Sequence, residues 1–116
     1  MQFIDTHIHL YLPEFDTDRD EVVNRAVSSG VVKMLLPNID FHSVDQMISA
    51  ESRYPDVCYP MIGLHPTSVK KDFLSQLDKI ENLFKKHKFI AIGEIGIDLY
   101  WDKTFLNEQL VAFSRQ

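Results

Sequence analysis

The chain has 116 residues, with 17 acidic residues against 12 lysines and arginines and therefore a net charge of −5. Its hydrophobic share of 45% and charged share of 25% are typical of a globular protein and predict one domain, residues 1–116, with a modest core. The acidic balance argues against binding of nucleic acid through a broad basic surface, and no apolar run has the length of a membrane span. A single cysteine and an N-terminus without a secretory signal predict a cytoplasmic protein with no membrane partner.

The predicted elements alternate between strands and helices along the chain. The strands are short, mostly continuous apolar runs rich in Val, Ile and Phe, at residues 3–10, 31–36, 57–64 and 89–95. Helical patterns follow them at residues 18–30, 43–55, 73–84 and 104–116. Continuous apolar strands are typical of a sheet that is covered on both faces. In the first helix, Asp18 and Glu21 have the spacing of an N-terminal capping box.

The order βαβαβαβα predicts parallel strands joined by right-handed crossovers. Each βα unit takes roughly 30 residues, and eight such units make a (β/α)₈ TIM-type barrel of ~250 residues. Four units are present here, and the last helix has no stop signal before Gln116. We therefore predict an α/β fold that holds about the first four units of a TIM-type barrel, an N-terminal half-barrel.

Polar side chains stand at the carboxyl end of every predicted strand, where reactive groups collect in parallel α/β folds. These are His7 and His9, Asn38 and Asp40, His65, and Glu94 followed by Asp98. The starts and middles of the strands are mostly apolar, so a purely structural sheet gives no reason for imidazoles and carboxylates at these ends. Asn38 and Asp40 are also explained as turn residues.

His7 and His9 lie two positions apart, so on a strand their side chains point the same way. Two imidazoles aimed at one point make half of a divalent-metal site; the alternative is a pair of buried histidines bonded to backbone carbonyls. Glu94 stands in an apolar run, where an unpaired carboxylate is costly. A metal ion offsets that cost, as does an ion pair with Lys or Arg, and a carboxylate can also bridge two cations.

The other candidates have two interpretations each. His65 and Asp98 are candidates for substrate binding, through a phosphate or an ordered water, or they close local turns. Tyr100 and Trp101 offer a stacking face to a nucleobase, or they pack their loop onto the barrel, which is the interpretation we favour. Cys58 lies within a strand without a neighbouring cysteine, which favours an inert buried thiol over a nucleophile.

Four segments together resemble the successive N-terminal motifs of TatD-type metal-dependent hydrolases. They are residues 4–10 (IDTHIHL), 62–66 (IGLHP), 91–98 (AIGEIGID) and 100–102 (YWD), the last with Gln109. The motifs occur in the same order through the whole chain, which makes the combination specific although each motif alone is weak. Two positions depart from the pattern, since Ile97 and Leu99 stand where a leucine and an aromatic residue are common.

The resemblance implies a TIM-barrel hydrolase of the deoxyribonuclease type that acts on phosphodiester bonds of DNA, with one or two divalent ions (Mg, Mn or Zn) in the complete site. It implies that His7 and His9 bind the first ion and that Glu94 bridges both, which makes Glu94 the catalytic carboxylate. The remaining ligands of such a site, two histidines and an aspartate, are expected beyond Gln116.

Two alternatives stay open on the sequence. The first is a metal-dependent amidohydrolase or esterase on the same scaffold, because a metal-activated hydroxide also attacks a carbonyl carbon. The second is a non-catalytic half-barrel that self-associates, because an open parallel sheet has unpaired edges and an uncovered face.

Overall fold

A computed structural model describes all residues, 1–116, and its strands and helices alternate as predicted. The strands are β1 (Phe3–Asp5), β2 (Val31–Pro37), β3 (Cys58–Ile62) and β4 (Ala91–Ile92). The helices are α1 (Arg19–Ser28), α2 (Val44–Arg53), α3 (Phe73–Phe84) and α4 (Leu106–Arg115), with short 3₁₀ turns at Pro13–Phe15, Phe41–Ser43 and Pro66–Ser68. None of the helices is both long and apolar enough to cross a membrane.

The four strands form one sheet in the order β1-β2-β3-β4, and each strand pairs in parallel with the next along the chain. Met34 of β2 stands opposite Cys58 of β3, and Ile62 of β3 stands opposite Ile92 of β4. Because consecutive strands are parallel neighbours, α1, α2 and α3 are the crossovers between them, and α4 follows the last strand. The predicted α/β half-barrel is confirmed.

The two edge strands are shorter than the apolar runs predicted. β1 ends at Asp5 and β4 contains only Ala91–Ile92, whereas the runs extend over residues 3–10 and 89–95. Hydrogen bonding to the neighbouring strand continues beyond both strands, since the Ile8 amide donates to the Leu35 carbonyl at 3.1 Å and the Gly93 amide donates to the Ile62 carbonyl at 2.9 Å. The predicted strand lengths were wrong because an edge strand has one neighbour and its ladder of hydrogen bonds stops early.

The hydrophobic core lies between the sheet and the helices. Burial alternates along β3, where Cys58, Pro60 and Ile62 are buried while Tyr59 and Met61 are half-buried. The buried positions face apolar side chains that the helices supply, among them Val23, Met47, Leu77 and Ile80. The prediction of a sheet covered on both faces was therefore wrong for this chain, because the helices form a layer on one face only.

A capping box lies at the start of α2 rather than at the start of α1. The Asp18 side chain makes no capping hydrogen bond, so the capping box predicted there was wrong. Asp40 instead accepts a hydrogen bond from the Ser43 amide at 3.0 Å, and the Asp40 amide donates to Ser43 Oγ at 3.3 Å. This reciprocal pair holds the turn that leads from the end of β2 into α2.

Candidate metal centre

His7, His9 and Glu94 come together beyond the carboxyl ends of β1 and β4. His7 Nε2 lies 3.2 Å from His9 Nε2 and 3.2 Å from Glu94 Oε2, while His9 Nε2 lies 3.6 Å from the same oxygen. β1 and β4 are the two outer strands of the sheet. Their side chains can meet only because the sheet curves strongly, so the barrel-like curvature itself builds this site.

The separations between the three ligand atoms fit one divalent cation. An ion with tetrahedral coordination and bonds of 2.0–2.1 Å keeps its ligand atoms about 3.3 to 3.4 Å apart. The three atoms here lie 3.2, 3.2 and 3.6 Å from one another. Two imidazoles and a carboxylate are also a donor set that zinc and manganese accept. The side chains therefore suit an ion in both chemistry and spacing.

The ring of His9 is oriented by a backbone carbonyl. His9 Nδ1 lies 3.0 Å from the carbonyl oxygen of Pro37, and since a carbonyl only accepts, Nδ1 carries the proton and Nε2 keeps its lone pair. The Tyr11 hydroxyl donates to the same carbonyl at 2.6 Å. Burial, and next the neighbouring His7, lower the pKa of His9. The neutral form, which binds metal, is thus favoured near neutral pH.

His65 reaches the same place from the end of β3. Its Nε2 lies 3.1 Å from Glu94 Oε1, and its Nδ1 accepts a hydrogen bond from the Thr67 amide at 3.1 Å. Nε2 therefore carries the proton and donates to Glu94, which leaves Oε2 of Glu94 facing His7 and His9. The partly exposed carboxylate of Glu94 has histidine partners, and the alternative of an ion pair with Lys or Arg was wrong.

Asn38 joins the carboxyl ends of three strands and was treated on the sequence as a turn residue. It is fully buried, and its side-chain amide donates to the Gly63 carbonyl at 2.8 Å. Its backbone amide lies within 3.0 Å of the carbonyls of Met61 and Gly93, and its own carbonyl accepts from the Glu94 amide at 3.0 Å. The sequence did offer a signal for this role, because Asn38 follows an apolar strand in the same way as the candidate metal ligands do.

Gly63 allows two backbones to approach closely beside Glu94. A Cβ atom at this position would stand 2.8 Å from the carbonyl carbon of Gly93 and 3.0 Å from the carbonyl oxygen of Glu94. Both of those atoms belong to backbone, which cannot move away as the end of a side chain can. The glycine is therefore required for the position of Glu94.

Asp98 lies in the loop after β4 and makes no contact with the four side chains described above. Its carboxylate accepts a hydrogen bond from the Tyr100 amide at 2.8 Å, and its backbone amide donates to Gln109 Oε1 at 2.8 Å. Gln109 Nε2 donates back to the Asp98 carbonyl at 3.0 Å. Asp98 thus holds the turn, and Gln109 fastens the loop to α4.

The aromatic residues of this loop do not pack onto the barrel. Tyr100 is 82% exposed and Trp101 is 79% exposed, so the interpretation that we favoured on the sequence was wrong. Cys58, in contrast, is buried and free, as expected. Burial raises the pKa of its thiol to about 11, which keeps it protonated and inert at neutral pH.

Comparison with protein families matches residues 4–116 to the family described as TatD related DNase. The chain is 33% identical over 112 residues to the uncharacterized metal-dependent hydrolase YabD of Bacillus subtilis, covering 97% of this chain and 44% of that protein. It is 34% identical over 112 residues to the 3'-5' ssDNA/RNA exonuclease TatD of Salmonella typhimurium, covering 97% of this chain and 43% of that protein. The chain thus spans less than half the length of these curated relatives.

Solved structures give the same result for the fold. The crystal structure of YJJV, a TatD homolog from Escherichia coli K12, superposes with a TM-score of 0.88 at 29% identity, covering 97% of this chain and 44% of that one. A hydrolase TatD family protein from Entamoeba histolytica superposes with a TM-score of 0.75 at 26% identity, covering 98% and 44%. With the family match over residues 4–116, these similarities show that the chain belongs to the TatD family.

Proposed function

We propose that this chain carries the first half of the metal site of a hydrolase that cleaves phosphodiester bonds of DNA. The observation that carries the proposal is the convergence of His7, His9 and Glu94 at separations of 3.2 to 3.6 Å. Support for a nucleic-acid substrate comes from the relatives, one of which is named a 3'-5' ssDNA/RNA exonuclease.

Each side chain has a role in the proposal. His7 and His9 would hold the cation, and Glu94, the catalytic carboxylate, would bind the same cation and would also hold a second one. A bound divalent ion supplies a Lewis acid that lowers the pKa of water and neutralises negative charge on the phosphate oxygens. The ion is Mg, Mn or Zn, and the imidazole ligands favour the latter two.

The proposal also assigns substrate binding to His65 and Asp98. His65 carries its proton on Nε2 at the edge of the site, so it can donate to a phosphate oxygen as well as to Glu94. Asp98 fixes the turn of the loop after β4. In the proposal this loop lies beside the substrate, and Asp98 positions it for binding. We further propose that residues 1–116 form a single domain, the N-terminal part of a TIM-barrel metallohydrolase, and that this enzyme is cytoplasmic.

Calorimetric titration of the metal-free chain with Mn²⁺ tests the site. We expect binding by the wild-type chain and its loss in His9→Ala and Glu94→Gln, because the first removes a ligand nitrogen and the second removes the negative charge of the carboxylate. His42→Ala is the matched control, since His42 is exposed and lies outside the cluster. Equal binding by all four proteins would contradict the proposal.

The reaction itself is tested on substrates of different classes in the presence of Mn²⁺. We expect metal-dependent turnover of a single-stranded DNA oligonucleotide by a protein with the complete ligand set, and its loss in Glu94→Gln. Turnover of amides or lactones without turnover of DNA would favour the amidohydrolase alternative instead.

A second candidate is self-association of the chain, with or without catalysis. Both outer strands expose apolar side chains, since Ile4 within β1 is 55% exposed and Ile90, the residue before β4, is 52% exposed. Unpaired, apolar sheet edges favour pairing with another strand. Pairing of β4 of one copy with β1 of another would continue the parallel sheet.

A further inference from the structure

The tyrosine that follows the two histidines is buried beside the metal centre. Tyr11 is only 3% exposed, and its ring meets the imidazole of His9 edge-on, with the ring centroids 5.8 Å apart and the planes at 88°. A phenol hydroxyl in such a place needs hydrogen-bond partners, because an unpaired buried polar group is costly. The partners of this hydroxyl are a candidate metal ligand and the carbonyl that orients that ligand.

The Tyr11 hydroxyl lies between the ring of His9 and the end of β2. Its oxygen is 2.6 Å from the carbonyl oxygen of Pro37 and 3.0 Å from His9 Nδ1, while His9 Nδ1 is itself 3.0 Å from the Pro37 carbonyl. A carbonyl only accepts, so the hydroxyl proton is donated to Pro37 and the hydroxyl oxygen accepts from Nδ1. The Nδ1 proton of His9 therefore has two acceptors.

These three groups favour one tautomer of His9. With the proton on Nδ1, every bond described above is formed and Nε2 keeps the lone pair that binds a cation. With the proton on Nε2, the single hydroxyl proton could serve only Nδ1 or the Pro37 carbonyl, and the other acceptor would be left without a donor. An unpaired buried acceptor costs free energy. The arrangement thus suits only the tautomer that leaves Nε2 free to coordinate.

The backbone around Tyr11 is fixed from its outer side. The Leu12 amide donates to the His9 carbonyl at 3.0 Å, which closes a turn. Arg19 of α1 donates through Nε to the Leu10 carbonyl at 2.9 Å and through Nη2 to the Leu12 carbonyl at 3.0 Å. The guanidinium thus binds the turn on both sides of Tyr11, and this holds the hydroxyl in its place beside His9.

We propose that Tyr11 is a positioning residue of the metal centre, whose hydroxyl acts with the Pro37 carbonyl to fix the ring of His9 with Nε2 directed at the cation. The inference rests on the proposed function and adds to it a residue that acts only through His9. A group that accepts from the far nitrogen of a metal-binding histidine fixes the ring and strengthens the ligand, and its loss weakens metal binding by roughly 10- to 100-fold.

Tyr11→Phe removes the hydroxyl and keeps the ring, so it tests the hydrogen bonds without opening a cavity. Tyr59→Phe is the matched control, because the Tyr59 hydroxyl also has a partner, Lys33 at 2.7 Å, but lies near the amino end of β3, away from the metal centre. Calorimetry with Mn²⁺ measures both affinities. We expect Tyr11→Phe to bind roughly tenfold more weakly, at the lower end of the range because the Pro37 carbonyl remains, and Tyr59→Phe to bind as the wild-type chain does.

NMR of the ¹⁵N-labelled, metal-free chain gives a readout that a purely structural role would not change. At a pH of about 8, above the ordinary pKa of histidine, the resonances of the two ring nitrogens report which one carries the proton. We expect His9 to be protonated on Nδ1 in the wild-type chain. We expect Tyr11→Phe to move the resonance of this proton upfield, because one of its two acceptors is lost. The His9 signals are assigned by their absence from His9→Ala.

Three results would overturn the inference: neutral His9 of the wild-type chain protonated on Nε2, an unchanged Nδ1 proton resonance in Tyr11→Phe, or an unchanged affinity of Tyr11→Phe for Mn²⁺. Circular dichroism verifies that the variants fold, and the tautomer of the wild-type chain tests the inference without any variant. A shifted resonance in a chain that binds no Mn²⁺ would contradict the proposed function alone. Metal binding that Tyr11→Phe leaves unchanged would contradict the positioning role alone.

Discussion

Single residues at the carboxyl ends of the strands decide the geometry of the metal centre. His9 is oriented by the carbonyl of Pro37. One carboxylate oxygen of Glu94 contacts His65, and the other oxygen contacts His7 and His9. Gly63 has no side chain, and this leaves room for the backbone of Gly93 and Glu94 to pass close to it. The ligands are thus positioned by backbone groups that belong to neighbouring strands.

The glycine at position 63 gives a test at this scale. We expect Gly63→Ala to weaken Mn²⁺ binding at least tenfold, because its Cβ would press on the backbone of Gly93 and Glu94. Gly93→Ala is the matched control, since its Cβ would meet only the flexible Met61 methyl group, which can turn away. Calorimetry measures both affinities, and circular dichroism verifies that both variants fold. Equal losses in the two variants would contradict the assigned role of Gly63.

At the scale of elements, α4 is attached to α3 by charged side chains at its end. Arg115 of α4 donates to Asp78 at 2.6 Å and to Glu81 at 2.9 Å, both on α3. Glu81 also accepts from Lys85 at 2.7 Å. Lys85 first, and then Arg115, lower the pKa of Glu81 to about 2. α4 also provides Gln109, which bonds to Asp98, so this attachment supports the loop after β4.

This attachment predicts a specific dependence of stability on pH. A carboxyl whose pKa is lower in the folded state stabilises the fold above its unfolded pKa of 4.5, and the contribution is lost as the pH falls towards about 2. The melting temperature of Glu81→Gln should therefore lie below that of the wild-type chain at neutral pH. The difference should shrink below a pH of about 4.5 and disappear near 2.

Thermal unfolding followed by circular dichroism across this pH range measures the effect. Glu14→Gln serves as the control, because Glu14 is exposed and forms no ion pair, so its melting temperature should follow that of the wild-type chain. A constant difference between Glu81→Gln and the wild-type chain at every pH would show that the carboxylate does not act through its charge.

At the scale of the whole molecule, the sheet is open at both edges and on one face. The helices bury the other face in a core that includes Leu10, Met34 and Leu36, all at most 1% exposed. At the two outer strands, by contrast, Ile4 and Ile90 are more than half exposed. The molecule therefore combines a well-packed layer with sheet edges suited to pairing.

Association through these edges is the prediction at this scale. We expect sedimentation velocity to show concentration-dependent self-association of the wild-type chain, and Ile4→Lys or Ile90→Lys to shift it towards monomer. A charged side chain at a sheet edge opposes pairing. Leu110→Lys is the control, because Leu110 is similarly exposed but lies on α4. A monomer at all concentrations would contradict the prediction.

The sequence by itself determined the order of elements, the parallel class of the sheet and the identity of the candidate ligands. Hydrophobic runs and helical periodicity are local signals, and the polar residues that follow each run mark the strand ends. His7, His9, His65 and Glu94 were all identified in this way. The family resemblance then matched the motifs in their order along the chain, which the comparison over residues 4–116 confirmed.

Only the tertiary structure decided which of these groups meet. Strand lengths at the edges, the buried bonds of Asn38, the histidine partners of Glu94 and the exposure of Tyr100 and Trp101 depend on residues far apart in the chain. Local patterns specify which side chains stand at a strand end, but the curvature of the sheet brings the ends of its two outer strands together. That curvature results from packing the whole helical layer against the sheet, and no short segment encodes it.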